Sequence, residues 1–412
     1  MKVNISIKNL LLNIFCVIIG VYSSFYYFNF GFPQIYLLYL CLILLLLSKP
    51  NLRNVFSNSN LFALYAITIV VSFIGLIVGG FNVTGINYFI SIVVLILIFS
   101  MCKDNTVLLK KLYKMLFAFS AVSVISIYYE FLAPDSFFSI SKNLLSTGSY
   151  STLVHVYTRS GAYCGLAGYS SLAAFSCVVL CACTFSGLFG STKRLTIKRK
   201  AFNISGFLAG LFALILTTKR SLFMAIIIAG ILVFVYTKNL SRRAKHSLLI
   251  LAGISIFVLF YFVRDTESVV SFLQRFQYSS GTDFSSGRSD ILEKALSYLG
   301  SNWVLGYGTG MGTAYSNSIG IGGGLHNIYI QCLFENGFIG LIVWIALFIK
   351  NLRDVFALRY DQTRPFVMLS MFIQLSFLIY GFFGNPLYDL CIFCIYIIST
   401  ALPSYSLSDS CN

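Results

Sequence analysis

Residues 54–102 read NVFSNSNLFALYAITIVVSFIGLIVGGFNVTGINYFISIVVLILIFSMC and contain no charged side chain. Residues 9–48 and 160–192 are free of charge as well. Over the whole chain, 58% of the residues are hydrophobic and only 10% are charged, whereas a water-soluble protein carries about 25% charged residues. Because about 20 apolar residues in a helix cross a bilayer, the sequence predicts an all-α polytopic membrane protein.

Runs of this kind predict twelve transmembrane helices. They lie near residues 10–27, 33–47, 61–78, 86–101, 113–131, 162–188, 202–217, 221–236, 247–262, 328–348, 366–383 and 389–402. The first run is too long for a cleaved signal peptide and lacks a clear small-residue cleavage site, so it is predicted to remain as an anchor. All eleven cysteines except Cys411 fall in or beside these runs, which favours small apolar packing residues over disulfides or metal ligands.

The basic residues predict the orientation of the chain. With the N-terminus in the cytoplasm, 21 of the 29 Lys and Arg residues fall on the cytoplasmic side, as the positive-inside rule requires. Both termini are therefore predicted to be cytoplasmic. The chain then divides into residues 1–263 with nine helices and an outside loop near 132–161, a large outside loop at 264–325, and three helices in residues 326–412. The net charge of +16 follows from this topology and does not indicate nucleic-acid binding.

The large outside loop contains the pattern of one short amphipathic helix. Asp290 and Glu293 have capping-box spacing, and Gly300 is a plausible stop. The apolar residues of one helical face are Ile291, Leu292, Ala295, Leu296 and Leu299. Such a helix would lie on the membrane surface or close over a cavity, and the following stretch from Gly306 to Gly312 is predicted to be irregular.

Eight basic residues remain on the outside, against the general charge distribution. They are Lys142, Arg159, Lys219, Arg220, Arg264, Arg275, Arg288 and Lys294. Lys219 and Arg220 occupy a very short turn between two spans, where a charge is a functional candidate; the alternative is that both side chains extend to lipid headgroups. Several guanidinium groups on one side would suit a multiply charged anion such as pyrophosphate, because the planar group binds phosphate oxygens in pairs.

Two further residues carry candidate chemistry. His326 opens the tenth predicted helix at the outer boundary, where an imidazole can take a proton from a hydroxyl near neutral pH; a buried, hydrogen-bonded histidine is the alternative. Glu335 lies about two and a half turns later on roughly the opposite face, which predicts a structural hydrogen bond to a neighbouring helix. The sequence shows no metal-ligand cluster, P-loop or dinucleotide fingerprint, so no cofactor is predicted.

Four short motifs occur in order between residues 287 and 340. They are Gly287-Arg288, Trp303-Val-Leu-Gly-Tyr-Gly-Thr-Gly310, Leu325-His326-Asn327-Ile328-Tyr329 and Glu335-Asn336-Gly337-Phe338-Ile339-Gly340. Together with the turn Thr218-Lys219-Arg220-Ser221, this set resembles the O-antigen polymerase and O-antigen ligase superfamily. The resemblance implies a GT-C-like membrane fold and a metal-independent, inverting glycosyltransferase. Its substrates would be undecaprenyl-pyrophosphate-linked sugars at the periplasmic face of the bacterial inner membrane.

The resemblance also implies roles for individual residues. His326 would activate the acceptor hydroxyl, supported by Asn327, Tyr329 and Glu335. Arg220 and Arg288 would hold the pyrophosphate of the donor, and further candidates for this role are Arg159, Lys219 and Arg275. Because many members have longer outside loops, the loop at 132–161 is predicted to complete the cavity. The expected partners are the lipid-linked oligosaccharide, membrane lipid and a chain-length regulator protein.

Three functions remain open at this point. A polymerase would move a growing glycan onto a lipid-linked repeat unit. The aromatic-, Ile- and Asn-rich composition of this chain favours this first function. A ligase would move the finished glycan onto lipid A core by the same chemistry. A transporter or flippase with twelve helices is the third, but its binding site would lie near the middle of the membrane, and most charges here lie at the ends of the predicted helices.

Overall fold

The computed structural model describes residues 7–48, 59–103, 105–190, 195–236, 253, 288–318, 324–358 and 364–405. Within these ranges the chain forms fifteen α-helices and two short 3₁₀ turns. The helices are α1 (Ile7–Ser24), α2 (Ile35–Leu47), α3 (Ser59–Val78), α4 (Val83–Cys102), α5 (Thr106–Leu132), α6 (Pro134–Leu144), α7 (Thr147–Ser160), α8 (Ser170–Phe189), α9 (Ile197–Leu216), α10 (Arg220–Tyr236), α11 (Arg288–Leu299), α12 (Met311–Ser318), α13 (Ile328–Ala357), α14 (Arg364–Gly381) and α15 (Leu390–Ala401).

The predicted membrane spans correspond to helices wherever the structure describes them. Seven helices are long and apolar enough to cross a membrane, and four shorter apolar helices account for four more of the predicted spans. The predicted ninth span, 247–262, lies outside the described residues. The all-α, multi-pass membrane fold predicted from the hydrophobic pattern is therefore confirmed.

Several helices begin at a residue whose side chain accepts a hydrogen bond from the first turn. Asn105 does so for α5, with 3.1 Å between its Oδ1 and the Leu108 nitrogen. Similar caps occur at Asn82, Ser146, Thr196, Asn327 and Asp389. Because the first N–H groups of a helix have no partner within it, these short polar residues determine where each helix starts.

The predicted outside loop at 132–161 is itself helical. It forms α6 and α7, which begin at Pro134 and Thr147. An isolated antiparallel bridge joins Phe28 to Leu145, and the Asn29 nitrogen donates to the Leu144 oxygen at 2.8 Å. The segment after α1 is thus fixed to the α6–α7 junction.

Helix α8 lies at the centre of the bundle. Every residue from Ser170 to Ser186 is buried, and the helix contacts α5, α9 and α14. Gly206 and Gly210 of α9 face Thr184 and Cys181, and a Cβ on Gly210 would lie 2.6 Å from the Cys181 sulfur. Small residues four apart allow two membrane helices to approach closely.

The cysteines behave as the sequence predicts. All ten in the described part of the chain are free and buried, including Cys391 and Cys394, whose spacing resembles a redox motif. They therefore serve as small packing residues in the helix interfaces.

The short helices α11 and α12 pack over the start of α13. Ile291, Ala295 and Leu299 of α11 are buried against Phe334, as the amphipathic pattern predicts. Leu296, however, is 46% exposed, because the helix contacts α13 along a narrower stripe than the sequence pattern suggests.

The orientation of the bundle can be tested with two exposed positions. In a Cys411→Ser background, Ser151→Cys on α7 should react with a membrane-impermeant thiol reagent in intact spheroplasts. Ile197→Cys at the start of α9 should react only after lysis, because the charge distribution places it in the cytoplasm. The background should be low, since the ten described cysteines are buried. The reverse labelling pattern would contradict the predicted topology.

Candidate active site

The glycine-rich turn at residues 306–310 is packed against two distant helices. Gly306, Gly308 and Gly310 have φ angles of 74°, 102° and 86°, which L-residues avoid. A Cβ on Gly308 would overlap the backbone of Gly79, and one on Gly310 would lie 2.7 Å from the Gly85 nitrogen. Glycine is needed here because the turn touches the backbone where α3 ends and α4 begins.

Thr309 joins this turn to three helices. Its nitrogen donates to the Gly75 oxygen of α3 at 2.9 Å, and its oxygen accepts from the Asn82 amide at the start of α4 at 2.8 Å. Its hydroxyl donates to the Asn336 Oδ1 of α13 at 3.1 Å. This fully buried threonine thus joins the turn to three helices through its backbone groups and its hydroxyl.

Glu335 holds the end of the same turn. Its carboxylate is fully buried and accepts from the Gly310 nitrogen at 2.9 Å and the Gly312 nitrogen at 3.0 Å. The Gln331 amide donates to it at 3.0 Å. The sequence predicts a bond to a neighbouring helix, but the carboxylate instead binds the glycine-rich turn and the first turn of α12. Its role is therefore to position the backbone.

A kink in α13 makes this docking possible. Gly337 has φ 65° and ψ −170°, which interrupts the helix. The carbonyl oxygens of Phe334 and Glu335 then accept from the Tyr307 and Gly308 nitrogens, both at 2.8 Å. The Glu-Asn-Gly motif therefore provides both a carboxylate and two carbonyl groups for the turn.

The same network reaches His326. The Gln331 oxygen accepts from the Leu325 nitrogen at 3.3 Å, so Gln331 connects Glu335 to the segment that precedes α13. Asn327 caps α13 by accepting from the Tyr329 and Ile330 nitrogens at 3.0 and 3.1 Å. Between them, His326 has a φ angle of 51°, an unusual backbone conformation that is often found at functional sites.

Lys219 follows a second strained residue. Thr218 has a φ angle of 56° and occupies the position after the end of α9 where glycine is usual. The chain then turns directly into α10 at Arg220. The Lys219 Nζ lies 6.0 Å from the centre of the Tyr169 ring, which orients the lysine along the start of α8.

These segments surround a cavity of about 250 Å³. The lining residues are Tyr27, Tyr169, Ser171, Lys219, Ser221, Thr313, His326, Gln331, Tyr380, Phe383, Asn385, Tyr388, Asp389 and Ile392. Among the described residues that line it, the charged ones are Lys219 and Asp389, and the one histidine is His326. The wall is thus rich in hydroxyl groups and aromatic rings, with a cation, a carboxylate and an imidazole.

Five helices begin at this cavity. Residues in or just before the first turns of α8, α10, α12, α13 and α15 line it. A helix N-terminus carries a partial positive charge and N–H groups that bind anions. The N-termini of α13 and α15 are capped by Asn327 and Asp389, whereas α8 begins without a side-chain cap. Together with Lys219, these ends favour a negatively charged ligand.

Comparison with known families agrees with this arrangement. Residues 205–345 match a family model described as O-antigen ligase. This segment covers about a third of the chain and runs from α9 into α13, so it contains Lys219, His326 and Glu335. Over these residues the chain is similar to the O-antigen ligase family, which supports the resemblance predicted from the motifs. No curated relative matches it by sequence.

Among the predicted site residues, His326 and Lys219 share the cavity. Arg220 is half-buried and directly follows Lys219, but it is not among the lining residues. Asn327 and Tyr329 lie behind His326, where the Asn327 amide donates to the Phe382 oxygen at 3.2 Å and the Tyr329 hydroxyl donates to the Leu378 oxygen at 3.0 Å. They fix α13 to α14 and so support the histidine.

The structure does not place the remaining predicted arginines at the cavity. Arg159 is exposed at the end of α7 and does not line the cavity. No residue of the 132–161 segment lines it either. The backbone of Arg288 begins α11, but its side chain lies outside the described part of the structure, as does all of Arg275. In the described residues, no group of three or more His, Cys, Asp or Glu is placed to hold a metal ion.

Two acidic residues near the site are not among those predicted from the sequence. Asp389 lines the cavity, and its position just before an apolar run at the outside boundary could have suggested it. Glu130 is fully buried near the end of α5 and accepts from the Cys164 and Gly165 nitrogens at 2.8 and 2.6 Å. It therefore holds the segment before α8 much as Glu335 holds the glycine-rich turn.

The docking of the glycine-rich turn can be tested by adding one methyl group. Gly308→Ala should prevent recovery of monodisperse protein in detergent, because the new Cβ would overlap the Gly79 backbone. Gly31→Ala is the matched control, since Gly31 also has a positive φ, 71°, but has open space around it. The control should lose only about 1–2 kcal/mol of stability. Equal thermal stability of the two variants would contradict the close packing described here.

Proposed function

We propose that this protein is a surface-polysaccharide polymerase of the O-antigen type. It would transfer a growing glycan from undecaprenyl pyrophosphate to a lipid-linked repeat unit at the periplasmic face of the inner membrane. The observation that carries the proposal is the shared cavity of His326 and Lys219, because both belong to the family-matched segment and supply the two chemical groups that the transfer needs.

The pyrophosphate of the donor would bind at Lys219 and the N-terminus of α10. Lys219 and Ser221 both line the cavity, and the first N–H groups of α10 are suited to phosphate oxygens. Arg220, half-buried beside them, would add its guanidinium group when the donor is bound. Arg288 and Arg275, whose side chains lie outside the described part of the structure, are proposed as further contributors on the outside surface. Neutralising the charge in this way allows pyrophosphate to leave without being protonated.

His326 would act as the general base. The acceptor hydroxyl oxygen attacks the anomeric carbon while the bond from that carbon to the pyrophosphate oxygen breaks. The electron pair leaves with the pyrophosphate, and the hydroxyl proton passes to the imidazole. A single displacement inverts the configuration at the anomeric carbon, and a pair of carboxylates of the glycosidase type is not required.

The polymerase and the ligase differ only in the acceptor. The aromatic content of 17% and the Ile- and Asn-rich composition support the polymerase. The lipopolysaccharide ladder of a strain lacking this gene distinguishes the two. A core carrying one repeat unit supports the polymerase, whereas a bare core with accumulating lipid-linked polymer identifies the ligase.

In the same strain, His326→Ala should fail to restore the ladder while the protein is present at the wild-type level. With purified protein, transfer should fall by at least a hundredfold, because general-base catalysis contributes about 10²–10⁴ in rate. Donor affinity should stay near normal, since the proton is removed only as the acceptor attacks.

The wild-type rate should rise with pH across the neutral range, as only the neutral imidazole accepts a proton, and EDTA should have no effect. Near-normal turnover in His326→Ala, or inhibition by EDTA, would overturn this mechanism.

The donor site can be tested through its cations. Lys219→Gln should weaken donor binding at least tenfold, and Arg220→Lys should lose most activity because it keeps the charge but loses the planar, two-pronged donor. Arg199→Lys, an exposed residue at the start of α9, is the control and should behave as wild type. Donor titrations of all three variants in nanodiscs provide the measurement. If Lys219→Gln binds the donor as tightly as wild type, Lys219 does not bind the donor pyrophosphate and this part of the proposal is wrong.

A further inference from the structure

The mechanism proposed above does not use Asp389, although this residue lines the cavity. Its nitrogen donates to the Asn385 oxygen at 3.0 Å, and its own carbonyl accepts from the Phe393 nitrogen at 2.9 Å. Its Oδ1 accepts from the Ile392 nitrogen at 3.4 Å. These bonds fix the carboxylate at the start of α15, so its position in the wall is set before any ligand arrives.

Asp389 is the one carboxylate among the described residues that line the cavity. The nearby carboxylate of Glu335 is already bonded to two backbone nitrogens and Gln331. A negatively charged side chain would repel pyrophosphate, so Asp389 must face a part of the substrate that donates hydrogen bonds.

The residues near Asp389 fit a sugar ring. Tyr27, Tyr169 and Tyr388 line the same cavity, and the rings of Tyr27 and Tyr169 are 5.7 Å apart. Aromatic side chains provide apolar surface with a polar group at one end. A pyranose has the complementary chemistry, because its C–H groups form an apolar face and its hydroxyls point outward at the edge.

We propose that Asp389 is a ligand for sugar hydroxyl groups in the acceptor half of this cavity. The proposal rests on the function proposed above and adds the residue that selects the acceptor. In it, Lys219 and the start of α10 bind the donor pyrophosphate, while Asp389 and the neighbouring tyrosines hold the acceptor sugar. The acceptor hydroxyl is thereby presented to His326.

A purely structural role is the competing explanation, since Asp389 also caps α15. Asparagine and serine cap helices about as well as aspartate. Asp389→Asn and Asp389→Ser therefore keep the cap and remove the charge. The matched control is Asn105→Asp, which makes the opposite exchange at the cap of α5, away from the cavity lining.

The experiment uses the full chain in nanodiscs and two separate substrates. The donor is the undecaprenyl-pyrophosphate-linked repeat unit. The acceptor probe is the same repeat unit carrying an alkyl group in place of the pyrophosphate, so it can accept but cannot donate. In Asp389→Asn the KM for the acceptor probe should rise about tenfold or more, as expected for loss of a hydrogen bond to a charged group. The KM for the donor should not rise, and Asn105→Asp should match wild type in both.

Each other outcome has a distinct meaning. An unchanged acceptor KM in Asp389→Asn and Asp389→Ser, with an active wild type, would leave Asp389 as a helix cap only and overturn this inference while the proposed function stands. A fall in kcat with unchanged KM would also overturn it, because the residue would then act on the chemical step. A wild type that transfers nothing between these substrates would refute the proposed function and the acceptor site with it.

Discussion

The arrangement of the cavity depends on the buried carboxylate of Glu335. It accepts three hydrogen bonds, from Gly310, Gly312 and Gln331. Removing it would leave two buried backbone N–H groups without a partner, at a cost of about 1–3 kcal/mol each. Because Gln331 in turn holds the segment before His326, the carboxylate determines both where α12 begins and where the histidine lies. A residue with no direct contact with substrate therefore controls the geometry of the proposed base.

The second feature that organises the site is electrostatic. Because transmembrane helices alternate in direction, each side of a bundle normally carries both N-terminal and C-terminal helix ends. At this cavity, however, five helices have their N-termini. The aligned peptide dipoles give that end a positive bias without adding basic side chains. In the proposed mechanism this bias adds to the charge of Lys219, the one cation among the described lining residues, in binding a multiply charged anion.

Much of the fold could be predicted from the sequence, because hydrophobic runs and charge asymmetry are local signals. The described helices follow the predicted spans, and His326 and Lys219 were identified from their unusual places at span ends. Leu296 was assigned to the wrong side of its helix because the contact stripe depends on the partner, which periodicity does not reveal. Arg159 is a candidate from its charge and its predicted side of the membrane, but at the end of α7 it does not line the cavity. The polar composition of residues 132–161 does not reveal that this segment is helical.

The acidic residues show a second limit of prediction from the sequence. Asp389 and Glu130 resemble ordinary acids at the edges of apolar runs, and only the folded structure shows that one lines a cavity and the other is buried against backbone nitrogens. The sequence predicts a structural hydrogen bond for Glu335, and its carboxylate accepts hydrogen bonds from the Gly310 and Gly312 nitrogens. Its partner could not be predicted, because the glycine-rich turn is joined to α13 only through the kink at Gly337.

The docking of the glycine-rich turn also has a consequence for biosynthesis. Thr309 bonds to Ser72 and Asn82, which precede it by 237 and 227 residues. At a translation rate of about 5–20 residues per second, α3 and α4 wait roughly ten to fifty seconds for the segment that fills the groove beside them. During that interval the backbone of Gly75, Gly79 and Gly85 has no partner from the turn. The first half of the chain must therefore be inserted and held in the membrane as an incomplete bundle, which closes only when the last third emerges from the ribosome.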